Sequence, residues 1–275
     1  MTTGADWQDR VGRTWAEMHQ RTDRSFGNLT DELLKRTRGI GLTGALDIGC
    51  GAGELSCALA RGRGSMRVQG LDVSAALLKV ARDRGKSLPN LTFVQADATI
   101  WDDPTFSPDL LISRHGVMFF DDPVAAFVNL RRQSSSGATF VFSCFRAPSE
   151  NEWIGTLAAI DPGVAQSQTS PSVPGPFAFA DRLAVETLLT DAGWSEPDFQ
   201  PVDYAMVVGL GANAIDEALA YFLRIGPLAR YFAGLDGAAH GRAIARLRRI
   251  LARHEHGGMV AMGAAAWIVT ARCPD

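Results

Sequence analysis

"ALDIGCGAGELS", residues 45–56, decides the fold of this 275-residue chain. A short apolar run meets Asp47, and three glycines then fall at every second position: Gly49, Gly51 and Gly53. Glycine costs backbone entropy wherever it sits, so three together imply that something approaches the backbone closely. Two kinds of ligand fit: a nucleotide with a pyrophosphate, or a nucleoside without any phosphate.

Outward from that stretch, short apolar runs alternate with helical segments. Strand candidates are "ALDIG", "RVQGLDV", "LTFVQAD", "DLLISR" and "TFVFSCF", with helices starting near Gly53, Ser74 and "DDP" at 121–123. At the last start an aspartate can cap and Pro123 suits the first helical position. Five strands alternating with helices predict an α/β fold with a doubly wound, mostly parallel sheet. Before it, residues 1–40 read as helix. Trp7, Val11, Trp15 and Met18 recur at helical steps and form one apolar stripe, read first as core packing.

After Arg146 a helix is expected around 150–161. The Pro/Ser-rich "PGVAQSQTSPSVPGP" at 162–176 follows, long enough to serve as a lid, then a helix over 181–192. Two late strands, "VDYAMVVG" and "AAAWIVTAR", bracket a helical insertion at 213–256. The whole of 1–275 reads as one domain. Residues 1–40 are N-terminal helices, 41–146 the ligand-binding core, and 147–180 and 213–256 cap elements.

Hydrophobic residues make up 46% and charged residues 21%, ordinary for a globular chain. A formal net charge of −3 gives no footprint for nucleic acid. The four cysteines, Cys50, Cys57, Cys144 and Cys273, form no C-x-x-C pair, and read as reduced thiols. "MTTGADWQDR" lacks an apolar signal region, and no apolar run approaches the ~20 residues that span a bilayer. A cytoplasmic protein without a membrane partner is expected.

The pyrophosphate reading loses on chemistry. The run is D-x-G-x-G-x-G rather than G-x-G-x-x-G, holds no Lys or Arg, and leads into Glu54, which suits a helix dipole but repels phosphate. Three acids instead end three successive strands. Asp47 suits an ammonium, Asp72 suits ribose hydroxyls, and Asp97 suits an exocyclic amino group.

"LDIGCGAG", "GLDVS", "VQADA" and "LLISRHGVMFFDDP" together resemble successive motifs of the class I S-adenosylmethionine-dependent methyltransferases. The small-molecule group related to the ubiquinone/menaquinone C-methyltransferases is the nearest in flavour. The resemblance is strong over residues 40–146. It implies a seven-stranded sheet of order 3-2-1-4-5-7-6, its seventh strand antiparallel, and S-adenosylmethionine as cofactor. It also implies that Gly49, Cys50 and Gly51 contact the methionine part, in the loop closed by Gly53. Asp72 would bind the ribose, Val73 would back the adenine, and Asp97 with Ala98 would sit at its amino edge. Arg114 and His115 would lie beneath the methionine moiety and the reacting methyl.

The expected chemistry is in-line displacement of the methyl by an O, N, S or C nucleophile on a small, largely apolar acceptor. His115, with an ordinary pKa of about 6.5, is the candidate general base, against a packing role. His19 is a weaker candidate. Trp153 falls at the edge of the acceptor region. In "HEH" at 254–256 the two histidines would point apart on a helix, so a metal is not expected. Arg242, Arg246, Arg249 and Arg253 share a helical face, by default a solvated one. A non-methylating or inactive binding protein of the same fold stays open, as does an NAD(P)-dependent oxidoreductase. A nucleic-acid methyltransferase fits the acidic balance less well.

Overall fold

The computed structural model describes residues 4–39, 41–161 and 174–274. The five expected strands form: β1 (Gly44–Ile48), β2 (Arg67–Asp72), β3 (Leu91–Gln95), β4 (Leu110–Arg114) and β5 (Thr139–Phe145). All pair in parallel. Two long strands complete the sheet, β6 (Ser195–Leu210) and β8 (Met259–Arg272), giving the order β3-β2-β1-β4-β5-β8-β6 with β8 antiparallel to both neighbours. The winding reverses at β1, which lies between β2 and β4. That is where a parallel sheet opens a crevice beyond its strand ends.

One expectation needs correction. An eighth strand, the two-residue β7 (Glu255–His256), pairs with β8, so the "HEH" histidines leave the helix before His256. β6 is also longer than its apolar core at 202–209 suggested. It is the edge strand, and its extra residues carry Pro197 and Pro201 and a register shift between Ser195 and Asp198. An edge tolerates proline and a bulge, so the strand continues where the pattern argues against it.

The helices follow their caps. α5 (Ala75–Gly85) starts on Ser74, and α6 (Pro123–Gln133) on Asp122 with Pro123 in its first turn, both after α4 (Glu54–Gly62). The N-terminal stripe breaks into three pieces, α1 (Gly4–Gln8), α2 (Arg10–Glu17) and α3 (His19–Arg36). α7 (Glu152–Ile160) and α8 (Arg182–Asp191, capped by Asp181) precede β6. The insertion is helical as expected: α9 (Ala214–Phe222), α10 (Gly226–Ala233) and α11 (Gly237–Arg253). The lid proposed at 162–176 lies mostly outside the described residues.

The central strands β1 and β5 are buried at every position, which accounts for their unbroken apolar runs. α3 and α9 both pack on β6. Glu217 of α9 receives Arg21 and Arg24 of α3, joining the N-terminal helices to the insertion above the sheet.

Candidate functional site

β1 ends in a loop that only glycine fits. Gly49, Gly51 and Gly53 all hold left-handed φ angles, +63°, +54° and +76°. A Cβ on Gly49 would sit 2.9 Å from the Gly116 backbone, and one on Gly53 would sit 2.8 Å from Phe93. At Gly51 a Cβ would meet nothing within 4 Å, and this residue lines a cavity of about 620 Å³. The first and third glycines are therefore required by the protein's own packing, and the middle one leaves room for a ligand.

Asp72, at the last position of β2, ties this loop down. Its carboxylate accepts from the Gly51 N–H and the Ser74 N–H, both at 2.8 Å. Burial raises its pKa while those N–H groups pull it back, and each oxygen keeps a lone pair for a further donor. Asp97 is exposed and accepts from Thr99 N and Oγ1 through Oδ1, leaving Oδ2 open. Cys50, Val73 and Ala98 also line the cavity, so this side brings together every proposed cofactor residue except Gly53, which shapes the loop from behind. Ring-sized space, open backbone and three acids that form no ion pair among the described residues fit an adenosyl compound better than a pyrophosphate.

Asp47 differs from expectation. It is not at a lip but 1% exposed within β1, where its carboxylate accepts from Ser56 Oγ. Burial pushes its pKa up to about 7, against the pull of Ser56 and of Arg114. The Cys50 thiol, buried beside Asp72 and Asp47, is held well above its ordinary value and stays protonated.

Arg114 lines the cavity, but its guanidinium is already engaged. It donates to Glu54 at 2.6 Å and Thr30 at 2.8 Å, and pairs with Asp23 at 3.4 Å. This arginine joins β4, α3 and the start of α4. His115 follows it with φ +65°, 7% exposed, its ring stacked on Phe145 at 4.2 Å. Burial, then the Arg114 charge, lower its pKa to about 3, which weighs against the general-base role expected from an ordinary histidine. His19 bonds the Ala16 carbonyl and does not line the cavity.

The other half of the cavity is legible in the sequence only in part, since Phe26, Phe145, Arg10 and Arg230 carry no signal there. Its walls are Trp7, Trp15, Phe26, Phe145, Trp153 and Tyr221, with Arg10 and Arg230 at the side. Trp153 was anticipated. The N-terminal stripe turns three of its residues, Trp7, Val11 and Trp15, to the cavity, and only Met18 is fully buried. Gly12 seats α2 on the cofactor side: a Cβ there would lie 2.2 Å from Ser74 Oγ. Helical spacing revealed the stripe, but nothing in it says which wall it faces.

A methyltransferase-domain family model matches residues 45–137, the stretch from β1 to the turn before β5. Trans-aconitate 2-methyltransferase from Methylobacterium radiotolerans is 28% identical over 221 residues, 76% of this chain and 82% of that protein. The matched core carries a methyltransferase domain, and the motifs, relatives and fold together support a class I S-adenosylmethionine-dependent methyltransferase. Other relatives match the methyltransferase core alone. The matched region spans 46% and 38% of the malonyl-[acyl-carrier protein] O-methyltransferases of Ilyobacter polytropus, 28% identical, and Paenibacillus sp., 32% identical. These alignments cover 45% and 36% of this chain. Among solved structures, phosphoethanolamine N-methyltransferase 2 of Haemonchus contortus shares the fold with a TM-score of 0.59 at 16% identity, covering 98% of this chain and 60% of that one. The [4+2]-cyclase SpnF shares it at 0.55 and 18%, covering 99% and 97%. The methyltransferase fold thus explains the sheet order, while these names give no support to the quinone-related subgroup.

Proposed function

We propose that this chain transfers the methyl group of S-adenosylmethionine to a small acceptor held in the aromatic half of the cavity. One observation carries the reading: a single cavity runs from Asp47 within β1, Asp72 at the end of β2 and Asp97 just beyond β3 to an aromatic compartment under α1, α2 and α10. Asp72 would take the ribose hydroxyls, Asp97 the adenine amino group, and the Gly49–Gly51 backbone the methionine part. Asp47 would face the cation. When bound, the cofactor supplies an electrophilic methyl on a sulfonium. The chain's own task is to align the acceptor and exclude water. The described parts of 147–180, with 213–256, would cap one methyltransferase domain and supply acceptor contacts through residues such as Trp153, Pro176 and Tyr221, favouring a largely apolar acceptor. Four free buried thiols fit a reducing compartment such as the cytoplasm. Among the described residues no helix is long and apolar enough to cross a membrane.

Because a cyclase shares the fold, binding and turnover need separate measurements. Calorimetry should show micromolar-range affinity for S-adenosylmethionine and S-adenosylhomocysteine, with NAD(P) failing to compete. Release of S-adenosylhomocysteine with an acceptor present completes the test. Affinity without release across a broad acceptor panel would favour the non-methylating reading, and no affinity at all would end both.

A further inference from the structure

The acceptor's chemistry can be read from one histidine, given the methyl-transfer reading. Among the described residues His115 Nε2 is buried without a hydrogen-bond partner, and His115 lines the cavity wall. Which hydrogen it carries follows from Ser143, fully buried on β5 beside it. The Ser143 hydroxyl accepts from the His115 backbone N–H at 3.1 Å, so its own hydrogen must go elsewhere. Among the described residues its one available acceptor is His115 Nδ1, 3.3 Å away. The rival arrangement, Nδ1–H donating to the Ser143 carbonyl at the same 3.3 Å, strands a buried hydroxyl hydrogen. Leaving a buried donor unmade costs about 1–3 kcal/mol, so the first arrangement wins. The hydrogen is then on Nε2, and His115 presents a donor rather than a lone pair.

A second observation fixes the charge. Arg230, half-buried on α10, lines the same cavity with no hydrogen bond or ion pair within reach among the described residues. Asp6 faces it from α1 and Arg10 from α2, so its nearest charges oppose one another. Burial already presses its pKa down, ahead of the Asp6 contribution. A guanidinium half out of water and unpaired is completed by an anion.

We propose that the acceptor is a carboxylate, one oxygen receiving the His115 Nε2–H and its charge, or a companion carboxylate, meeting Arg230. The carboxylate oxygen forms the new bond to the methyl carbon, the C–S bond breaks with its electron pair left on sulfur, and a methyl ester results. No proton is released, so the step needs no base. The neutral imidazole of His115 suits this step, which asks it for a hydrogen bond and no proton transfer. Trp7, Trp15 and Phe26 then flank the acceptor's apolar body.

The test uses full-length protein loaded with S-adenosylhomocysteine, so that failure of cofactor binding is seen first and separately. Trans-aconitate and cinnamate serve as carboxylate probes, catechol and phenethylamine as proton-bearing ones. The carboxylates should bind and, with S-adenosylmethionine, yield esters at a rate that is flat from about pH 6 to 9. His115→Phe should weaken their binding at least ~10-fold while S-adenosylhomocysteine affinity changes less than ~2-fold, and His115→Gln, which keeps a donor, should recover part. Arg230→Ala should act likewise, with Arg230→Lys intermediate. Nitrogen-15 spectra should place the His115 hydrogen on Nε2, and Ser143→Ala should release that preference. Binding of catechol or phenethylamine in place of the carboxylates overturns the proposal. So does a hydrogen on Nδ1, or a His115→Phe effect confined to S-adenosylhomocysteine.

Discussion

Around the half of the cavity proposed for the adenosyl group the walls are strand ends and loop backbone from residues 47–100, backed by the sheet. Around the acceptor half they are side chains from α1, α2, α3, β5, α7, α9 and α10, drawn from residues 4–230. The first half is fixed by hydrogen bonds within two tight turns, the second by helices that lie over the sheet. The difference separates two tasks. A constant ligand is met by backbone that cannot easily change, and a variable one by side chains that can.

Breaking the rigid half should have the larger effect. Asp72→Ala removes the expected ribose acceptor and frees the Gly51 and Ser74 N–H groups, so cofactor affinity should fall ~100-fold or more by calorimetry. Unchanged affinity would remove the basis for the whole reading. Gly49→Ala should come next. It places a Cβ at φ +63° and 2.9 Å from Gly116, a strain of about 1–3 kcal/mol that should appear both as a lower melting temperature and as ~10–100-fold weaker cofactor binding. Gly51→Ala, with open space around its Cβ, should lower affinity with a smaller change in melting temperature.

The same contrast governs what could be read from the chain alone. The strand ends were legible because each carries its chemistry within a few consecutive residues: glycines after Asp47, Asp72 closing β2, Asp97 two residues beyond β3. Gly12 carried no such mark, since its role depends on Ser74, distant in sequence and close in space. Arg230 was equally silent, because helical amphipathicity looks the same whether a face meets core or cavity. His115 is legible as a strand-end residue, but its environment is not. Burial against Phe145 and the charge of Arg114, both set by tertiary structure, lower the imidazole pKa well below its ordinary value.

The junction of the two halves offers a milder perturbation. Gly12→Val would force α2 away from Ser74 and the Trp7 carbonyl without replacing a residue of the strand ends. Cofactor dissociation should speed up ~10-fold and the acceptor KM should rise, while the melting temperature of the ligand-free protein moves little. A large drop in that melting temperature would mean that α2 belongs to the core rather than to a cover.

The smallest expected effect comes from Asp47, and its sign discriminates. Burial raises the folded-state pKa from the ordinary carboxylate value to about 7, so the folded protein holds a proton that the unfolded chain has released. Ligand-free stability should therefore fall as pH rises from about 4 toward 7, the folded state binding more protons across that window. A cation placed near Asp47 favours its ionised form and reverses this trend locally. S-adenosylmethionine should bind a few-fold more tightly at pH 8 than at pH 6 and release a fraction of a proton near pH 7, measurable by calorimetry in buffers of different ionisation enthalpy. Ser56→Ala removes the hydrogen bond that stabilises the carboxylate, so the pKa should climb further and the proton release should grow. Proton uptake in place of release would mean that the bound cation lies away from β1, and that the two halves of the cavity have been assigned the wrong way round.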